Sequence, residues 1–368
     1  MNLQFPDKIA NYRRLPCLDG LRCISVLLVL IAHSEDVSHY PAALAKITRW
    51  VPPGTTGVQA FFVLSGFLIT FLLLKEKLKH GNVSLKLFYI RRALRILPAY
   101  VAFLIIIGII AAFAPLAISG SSWFALITYL VNFMEVPKIA EHVWSLSVEE
   151  QFYLLWPFLF WLFLVKSEQT RKAFYVLLIP VVLGPICRHL GSLDEHSVLF
   201  GEKSFFTHFD SLAYGCLLAF AFGFRAKCVE TVMENRKWPV FIGALLLIFI
   251  PHLLIVVEKL EVITTPLASS FSAFGIALLV GFVLFHPRFF AVSWLEWKPV
   301  ALIGVWSYSI YLWQQIYCSP PESYGFNGSP RFLVFPYWLA PVFATSITSY
   351  YLVEKPFLRL KSKVGTRK

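Results

Sequence analysis

Ten long apolar blocks recur along the 368-residue chain and constrain its fold more than any single motif. Each block approaches the roughly 20 residues that a helix needs to cross a bilayer. Only helices and closed barrels satisfy every backbone polar group in lipid, and these blocks are too long for barrel strands. We therefore predict an all-α integral membrane protein with about ten transmembrane helices in one bundle. The blocks span residues 17–37, 57–74, 93–117, 147–165, 173–191, 207–224, 238–257, 266–286, 300–318 and 332–353.

Composition supports a membrane protein and argues against two other classes. Hydrophobic residues make up 58% of the chain and charged residues 15%, against about 45–50% and about 25% in average soluble domains. The net charge of +12 does not indicate nucleic-acid binding, because the basic residues cluster in short loops and no such motif occurs. Six scattered cysteines lack metal-type spacing, so we expect no metal and no disulfide framework.

The distribution of Lys and Arg predicts the orientation. With the N-terminus in the cytoplasm, 25 of the 33 basic residues fall in cytoplasmic segments and seven outside, with Arg22 inside the first helix. This alternation follows the positive-inside rule and places both termini in the cytoplasm. Residues 121–133 are short for a spanning helix, so we expect an interfacial or re-entrant helix there. We expect one domain over residues 1–368, without an appended soluble domain.

Two ionisable residues bracket the apolar run of the first helix, LDGLRCISVLLVLIAHS (18–34). Arg22 and His33 are eleven residues apart, which on a helix is about three turns, so they share a face at about 16 Å separation. Ionisable residues inside a membrane usually mark a site or pathway. The alternative is that Arg22 pairs with Asp19 and that His33 only caps the helix at the interface.

An arginine pair lies at the end of the predicted cytoplasmic loop 75–95, which leads into the third helix, in FYIRRALRILPAY (88–100). Arg92 and Arg95 are i, i+3 neighbours and present adjacent guanidinium groups, with Arg91 beside them. Such planar forks suit phosphate groups. The positive-inside rule alone would also place basic residues here, so the motif by itself leaves both interpretations open.

Polar residues at the predicted outer helix ends supply further candidates. In HVWSLSVEEQFYLLWP (142–157), Ser147 and Glu150 have capping-box spacing, while Glu149 is either a carboxylate favoured by the helix dipole or a substrate-facing group. Ser65, beside Gly66, fits helix packing better than catalysis. The remaining candidates, which either line a polar cleft or form interhelical hydrogen bonds, are His208, Asp210, Tyr308, Tyr311 and Gln314.

Seven segments together resemble the membrane-bound acyltransferase 3 family, the O-acetylases of surface polysaccharides and related glycans. They occur in the family's order over essentially the whole chain, with a core at about residues 15–358. The segments are LDGLRCISVLLVLIAHS, GVQAFFVLSGFLIT, RRALRILPAY, VWSLSVEEQFYLLWP, FDSLAYGCLLA, SYSIYLW and YYLVEKPF.

The resemblance implies a multi-pass enzyme of the inner (plasma) membrane with about ten helices and no tightly bound cofactor. It implies transfer of an acyl group, usually acetyl, from cytoplasmic acyl-CoA to a hydroxyl of a glycan or glycolipid. The family's basic-residue-to-histidine pattern falls on Arg22 and His33. Its arginine pair falls on Arg92 and Arg95, and its acidic motif on Glu149 and Glu150. This chain differs from the commoner pattern at Gln59, His208 and Gln314, where the family often has Asp, Arg and His.

Acyl transfer to an alcohol needs a base for the hydroxyl proton and groups that stabilise negative charge. An imidazole exchanges protons near neutral pH, so His33 is the predicted base or covalent acyl carrier, with Glu149 orienting it or binding sugar hydroxyls. Arg92 and Arg95, with Arg22, are predicted to bind the acyl-CoA phosphates. The predicted substrate-binding residues are Glu150, Asp210, His208, Tyr311 and Gln314.

Two other classes of function remain possible from the sequence. A transporter or exporter of a lipid-linked glycan or small molecule would use the same polar residues without chemistry, although no internal symmetry of the kind common in transporters is visible. A structural subunit of an envelope machine is the third alternative. The sequence leaves open the acceptor, the acyl chain length and the oligomeric state.

Overall fold

The protein is built from helices, as the apolar blocks predict. No β-strand occurs among the residues that the structure describes, so the all-α prediction is confirmed. The structure is a computed structural model, which describes residues 3–12, 14–35, 37, 39–114, 116–194, 197–257, 261–326 and 328–364.

Eleven helices carry the architecture and are numbered here in chain order. They are α1 (Leu18–Glu35), α2 (Gly54–His80), α3 (Leu85–Phe113), α4 (Val143–Phe160), α5 (Thr170–Leu193), α6 (Phe205–Phe224), α7 (Lys237–Val256), α8 (Glu261–Phe285), α9 (Lys298–Trp313), α10 (Leu339–Ser349) and α11 (Lys355–Lys363). Shorter α-helices are Asp7–Ala10, Ala42–Thr48, Gly120–Thr128, Lys138–Glu141, Ala226–Asn235 and Gln315–Cys318. The π-helical turns are Trp161–Lys166 and Tyr350–Glu354, and the 3₁₀ turns are Ser293–Glu296, Pro321–Tyr324 and Arg331–Leu333.

Each of the ten predicted blocks overlaps one of the helices α1 to α10. Within the described residues, seven helical segments are long and apolar enough to cross a membrane, so the chain is a multi-pass membrane protein. They are Gly54–His80, Leu85–Phe113, Lys138–Lys166, Thr170–Leu193, Phe205–Phe224, Lys237–Val256 and Pro266–Phe285. The other three, α1, α9 and α10, have 18, 16 and 11 residues, so the count of ten spans stays a prediction.

The boundary between α2 and α3 differs from the predicted one. We expected a loop over residues 75–95, but α2 continues to His80 and α3 begins at Leu85. Gly81 ends α2 in the left-handed region with φ of 69°, a conformation that glycine adopts without steric cost. Ser84 then caps α3 by accepting a hydrogen bond from the Leu87 amide. The arginines of the RRALR segment therefore lie inside α3.

The segment 121–133 is helical only in its first part. It forms the nine-residue helix Gly120–Thr128, capped by Ser119 and ended by Tyr129 in the left-handed region with φ of 55°. Nine residues rise only about 14 Å, which is about half of a bilayer core. Its placement at the interface stays a prediction.

The chain divides into two units, which are described separately. Unit 1 comprises Met1–Leu28, Arg49–Val83 and Val148–Val305, and unit 2 comprises Val29–Thr48, Ser84–Ser147 and Trp306–Lys368. Both units interleave in sequence. The expectation of one domain over the whole chain stays a prediction.

Unit 1 is organised around the pair α2 and α6, which pack closely along their length. Glycines allow this approach, because a Cβ on Gly66 would lie 2.0 Å from the Leu212 carbonyl oxygen, and one on Gly215 2.1 Å from that of Val63. Small residues at such contacts are typical of membrane helices. Phe67 packs edge-on against Phe222 in the same layer.

Unit 2 is organised around α3. The π-helical turn Tyr350–Glu354 and α11 both pack against this helix. The Tyr308 hydroxyl of α9 donates to the Ile96 carbonyl oxygen at 3.0 Å. Because this carbonyl lies one residue after Arg95, the contact fixes α9 against the arginine-bearing part of α3.

Candidate active site

The predicted base His33 lies in the last turn of α1. This turn belongs to unit 2, and His33 contacts a buried amide of the same unit. Its Nδ1 is 3.2 Å from Oε1 of Gln314. Gln314 is 0% exposed and follows the last residue of α9, where a turn separates that helix from Gln315–Cys318. The structure therefore brings together two predicted site residues that are 281 positions apart.

The direction of this hydrogen bond determines what the imidazole can do. An amide oxygen only accepts, so with Oε1 toward the ring the proton resides on Nδ1. The other ring nitrogen, Nε2, then carries the lone pair and can accept a proton. In this tautomer Nε2 is the free acceptor, which is the arrangement that a carboxylate maintains for the catalytic histidine in serine hydrolases.

A second histidine lies in the same part of unit 2 and was missed by the sequence analysis. His142 is 3% exposed, its Nε2 is 3.0 Å from the Leu312 carbonyl oxygen, and it interacts electrostatically with His33. Tyr311 donates to the His142 carbonyl oxygen at 3.1 Å and bonds to the Ser145 hydroxyl. Tyr311 therefore forms interhelical hydrogen bonds, one of the two alternatives that the sequence allowed.

The arginines predicted to bind phosphate lie on α3, also in unit 2. Arg91, Arg92 and Arg95 are all partly buried, in the second and third turns of the helix. An i, i+3 pair is separated by about 4.5 Å along the axis, so Arg92 and Arg95 lie on one face. Each makes interactions within the protein. Unit 2 thus contains both the candidate base and the candidate donor-binding arginines.

Arg22 lies in unit 1, and its guanidinium pairs with Asp19. Nη1 of Arg22 is 2.9 Å from Asp19 Oδ1, while Arg14 Nε donates to Oδ2 of the same carboxylate at 3.1 Å. This is the pairing that the sequence analysis offered as an alternative to a site role. It leaves the guanidinium partly exposed, at 19%.

Glu149 belongs to a hydrogen-bonded cluster in unit 1. The Ser65 hydroxyl donates to Glu149 Oε1 at 2.7 Å, and the Tyr153 hydroxyl is 3.0 Å from both Glu149 Oε2 and the Ser65 oxygen. Ser65 and Glu149 are partly exposed and Tyr153 is buried. The cluster holds a carboxylate in a fixed orientation beside two hydroxyl groups, an arrangement suited to binding alcohols.

The predicted capping box at Ser147 and Glu150 is wrong. Helix α4 begins at Val143, and the Ser147 hydroxyl donates to the Val143 carbonyl oxygen at 3.1 Å inside the helix. Glu149 therefore lies in the second turn, beyond the strongest effect of the helix dipole. Glu150 is partly exposed in the same turn. The dipole interpretation of Glu149 loses its support, and its side-chain contacts come from Ser65 and Tyr153.

Asp210 forms a buried ion pair in unit 1. Its oxygens accept from Arg188 Nη1 at 3.1 Å and Nη2 at 2.7 Å, and Ser270 also donates to Oδ2. Asp210 is 0% exposed. Arg188, one of the seven basic residues predicted on the outer side, lies in α5 and is the partner of this carboxylate. Two opposite charges in separate apolar blocks are the signal that could have predicted the pair.

Two of the three positions that depart from the family pattern also lie in unit 1. His208 is partly exposed, with Nε2 2.7 Å from the Glu202 carbonyl oxygen. Gln59 is 3% exposed, and its Oε1 has no hydrogen-bond partner in the part of the chain that the structure describes. The site residues are thus divided: unit 1 contains Arg22, Glu149, Glu150, His208 and Asp210, and unit 2 contains His33, Arg92, Arg95, Tyr311 and Gln314.

Comparison with known proteins supports the resemblance read from the motifs. SACOL0978 of Staphylococcus aureus (strain COL), provisionally named an O-acetyltransferase, is 30% identical over 95% of this chain and 58% of its own length. YrhL of Bacillus subtilis (strain 168), provisionally named a peptidoglycan O-acetyltransferase, is 28% identical over 95% and 56%. The peptidoglycan O-acetyltransferase OatA of Listeria monocytogenes serovar 1/2a (strain ATCC BAA-679 / EGD-e) is 28% identical over 81% and 48%. No solved structure matches.

The chain spans about half to three fifths of the length of these curated relatives. The model of the acyltransferase 3 family, described as an acyltransferase domain, matches residues 15–354. This range includes the candidate base, the arginine pair and both carboxylate clusters described above. The chain belongs to the acyltransferase 3 family.

Proposed function

We propose that this protein is a membrane-bound O-acetyltransferase that moves an acetyl group from cytoplasmic acetyl-CoA to a hydroxyl of a cell-wall glycan. Family membership and the names of the relatives support the acetyl group, and two of those names support peptidoglycan as the acceptor. The observation that carries the proposal is the hydrogen bond between His33 and Gln314. It supplies an oriented base in the unit that also carries the donor-binding arginines.

The reaction requires one proton transfer in each direction. Nε2 of His33 takes the proton of the acceptor hydroxyl while the oxygen forms a bond to the acetyl carbonyl carbon. The carbon–sulfur bond of the thioester then breaks, and the imidazolium returns the proton to the departing thiolate. The products are the O-acetyl ester and free CoA. Gln314 maintains Nδ1–H throughout and stabilises the orientation of the imidazolium.

The donor is held through its phosphate groups. Arg92 and Arg95 offer adjacent charged donors on one face of α3, a geometry that suits bidentate phosphate contacts. Arg22, which is partly exposed beside Asp19, is proposed as a further donor-binding residue. With both termini in the cytoplasm, as proposed, the first turns of α3 face the cytoplasm, where acetyl-CoA occurs. The basic segment before α3 agrees with this orientation.

The remaining polar residues are proposed to bind the glycan acceptor or to support the site. Glu149, oriented by Ser65 and Tyr153, is proposed to accept hydrogen bonds from sugar hydroxyls, with Glu150 and His208 as additional acceptor contacts. Tyr311 positions the α9 end that carries Gln314. Asp210 is reassigned to a structural role, because the carboxylate already binds Arg188 and Ser270.

The experiment is acetyl transfer by the full chain in lipid nanodiscs, with radiolabelled acetyl-CoA and soluble peptidoglycan fragments. Base-labile label on the glycan, located by mass spectrometry, measures the product. His33→Ala is expected to lower kcat by about 10²–10⁴-fold, as expected for loss of a general base. His189→Ala removes an exposed histidine of α5 and is expected to keep full activity. Equal activity of His33→Ala and wild type would contradict the proposal.

A further inference from the structure

One buried carboxylate in unit 2 has no role in the mechanism above. Glu354 is 5% exposed and belongs to the YYLVEKPF segment that helped to reveal the family resemblance. It ends the π-helical turn Tyr350–Glu354, between α10 and α11. Such turns are rare and often occur at functional sites. Buried carboxylates are costly unless they are hydrogen-bonded or paired, so the partners of Glu354 are informative.

The first partner is a hydroxyl on a neighbouring helix. The Ser309 hydroxyl of α9 donates to Glu354 Oε1. Ser309 is itself 0% exposed, so this hydrogen bond is shielded from water. The preceding residue, Tyr308, donates to the Ile96 carbonyl oxygen of α3 at 3.0 Å. Two consecutive residues of α9 therefore fix the carboxylate and the backbone immediately after Arg95.

The π-helical turn that Glu354 ends packs against α3, the helix that carries the donor-binding candidate Arg95. Glu354 lies close enough to Arg95 for the two opposite charges to attract each other. An arginine side chain has several rotatable bonds, so a phosphate that binds it must restrict those rotations. A buried carboxylate near the guanidinium would restrict these rotations before the phosphate binds and would so reduce this entropic cost. Residues that orient ligand-binding groups in this way commonly change affinity when they are replaced.

We propose that Glu354, held by Ser309, is a positioning residue that orients Arg95 for the phosphate groups of acyl-CoA. This inference rests on the proposed function, because it assigns a donor-binding task to Arg95. It predicts that loss of the carboxylate weakens donor binding. Simple charge compensation predicts the opposite, since removing a negative charge beside a cation strengthens anion binding. The sign of the change therefore discriminates between orientation and charge balance.

The test uses the full chain in nanodiscs, with CoA as the probe in direct binding measurements and acetyl-CoA in kinetics. Glu354→Gln is expected to raise the Kd of CoA and the KM of acetyl-CoA by about tenfold, with kcat changed less than twofold. Glu354→Asp, which retains the charge, is expected to recover part of the affinity. Glu230→Gln removes a carboxylate of the helix Ala226–Asn235 in unit 1 and is expected to leave the Kd unchanged.

A double-mutant cycle separates positioning from a general structural effect. If Glu354 acts through Arg95, the effect of Glu354→Gln on the Kd should disappear in an Arg95→Ala background. Additive effects in the two backgrounds would overturn the proposal. Unchanged or tighter CoA binding by Glu354→Gln would also overturn it, provided that Arg95→Ala weakens binding. Failure of the wild type to bind CoA would instead overturn the proposed function.

Ser309→Ala is a second variant, which tests the proposal even if Glu354→Gln fails to fold. It keeps the carboxylate and removes the hydrogen bond that fixes it, so the Kd of CoA is expected to rise by about two- to fivefold. The variant should unfold at the same temperature as wild type within a few degrees. A normal Kd in folded Ser309→Ala would contradict the part of the proposal that assigns Ser309 to holding Glu354.

Discussion

Nδ1 of His33 and Oε1 of Gln314 are 3.2 Å apart, which joins the last turn of α1 to the residue that follows α9. Gln314 stands where histidine is frequent in the family pattern. A neutral amide neither takes up nor releases a proton, so in this chain the partner of His33 can only orient it. In the proposed mechanism, proton transfer therefore depends on His33, and Gln314 carries no proton.

Replacing Gln314 should lower turnover without changing donor affinity. In Gln314→Leu the hydrogen bond to Nδ1 is lost, the ring tautomer is no longer fixed, and kcat is expected to fall about 10- to 100-fold. Gln314→His retains a hydrogen-bonding ring and should keep more activity than Gln314→Leu. Steady-state kinetics with acetyl-CoA and peptidoglycan fragments measure both.

Gln315→Leu is the matched control for this variant. Gln315 is also buried, at 8%, and its Oε1 has no hydrogen-bond partner within the described ranges. Its replacement should therefore leave kcat within about twofold of wild type. An equal loss in both variants would mean that repacking at the end of α9, rather than the bond to His33, causes the effect.

Replacing the α3 arginines should change donor affinity. Arg92→Ala and Arg95→Ala each remove a charged donor to phosphate, and a hydrogen bond to a charged group contributes about 1.5–3 kcal/mol. The KM of acetyl-CoA is therefore expected to rise at least about tenfold in each variant, with a smaller effect on kcat. Lys86→Ala, on an exposed position of the same helix, should show neither change. If CoA bound equally well to wild type and to both arginine variants, phosphate recognition by these arginines would be excluded.

The helices were predictable, and His33 could be singled out as the candidate base, because both signals are local. Apolar blocks of spanning length, the glycine at 81 and the serine at 84 are all visible in short stretches of sequence. His33 was conspicuous because ionisable groups are rare in apolar runs. Local signals conflict at the start of α3. The basic residues predict a cytoplasmic loop up to residue 95, whereas Ser84 is a suitable N-cap and the helix begins at Leu85.

The partners of these residues were not predictable, because they depend on contacts between distant segments. Gln314 lies 281 positions from His33. His142 precedes an apolar helix and carries no distinguishing pattern. Glu149 stands between Val148 and Glu150, and nothing local indicates that Ser65, 84 positions away, donates to it. Arg188 and Asp210 were visible as opposite charges in separate apolar blocks, which suggests a pair, but only the fold shows that these two side chains are in contact.

Replacing Glu149 should affect the acceptor and not the donor. Glu149→Gln removes the charge that strengthens hydrogen bonds to sugar hydroxyls, so the KM of the glycan fragment is expected to rise about tenfold while the Kd of CoA stays unchanged. Tyr153→Phe removes one hydrogen bond that orients this carboxylate and should have a smaller effect in the same direction. A changed Kd for CoA in Glu149→Gln would contradict the assignment to the acceptor.

Breaking the Arg188–Asp210 pair should destabilise the fold. Asp210→Asn leaves a buried guanidinium without its counter-ion, which costs about 3–5 kcal/mol in comparable buried pairs. Unfolding in mixed micelles with increasing denaturing detergent measures the change. Glu234→Gln breaks the exposed pair with Lys8, for which about 0–1 kcal/mol is expected. A similar stability of both variants would show that Asp210 is not a structural residue and would reopen its predicted role in substrate binding.

Enlarging a glycine between α2 and α6 should also destabilise the protein, through packing alone. A Cβ at position 66 would lie 2.0 Å from the Leu212 carbonyl oxygen, so Gly66→Ala must push the two backbones apart, at a cost of at least about 1–3 kcal/mol. Gly243→Ala in α7 is the control, because a Cβ there meets nothing within 4 Å. The control is expected to be neutral or stabilising by about 0.5–1 kcal/mol, since alanine favours a helix over glycine. Equal unfolding midpoints for the two variants would contradict the close approach of α2 and α6.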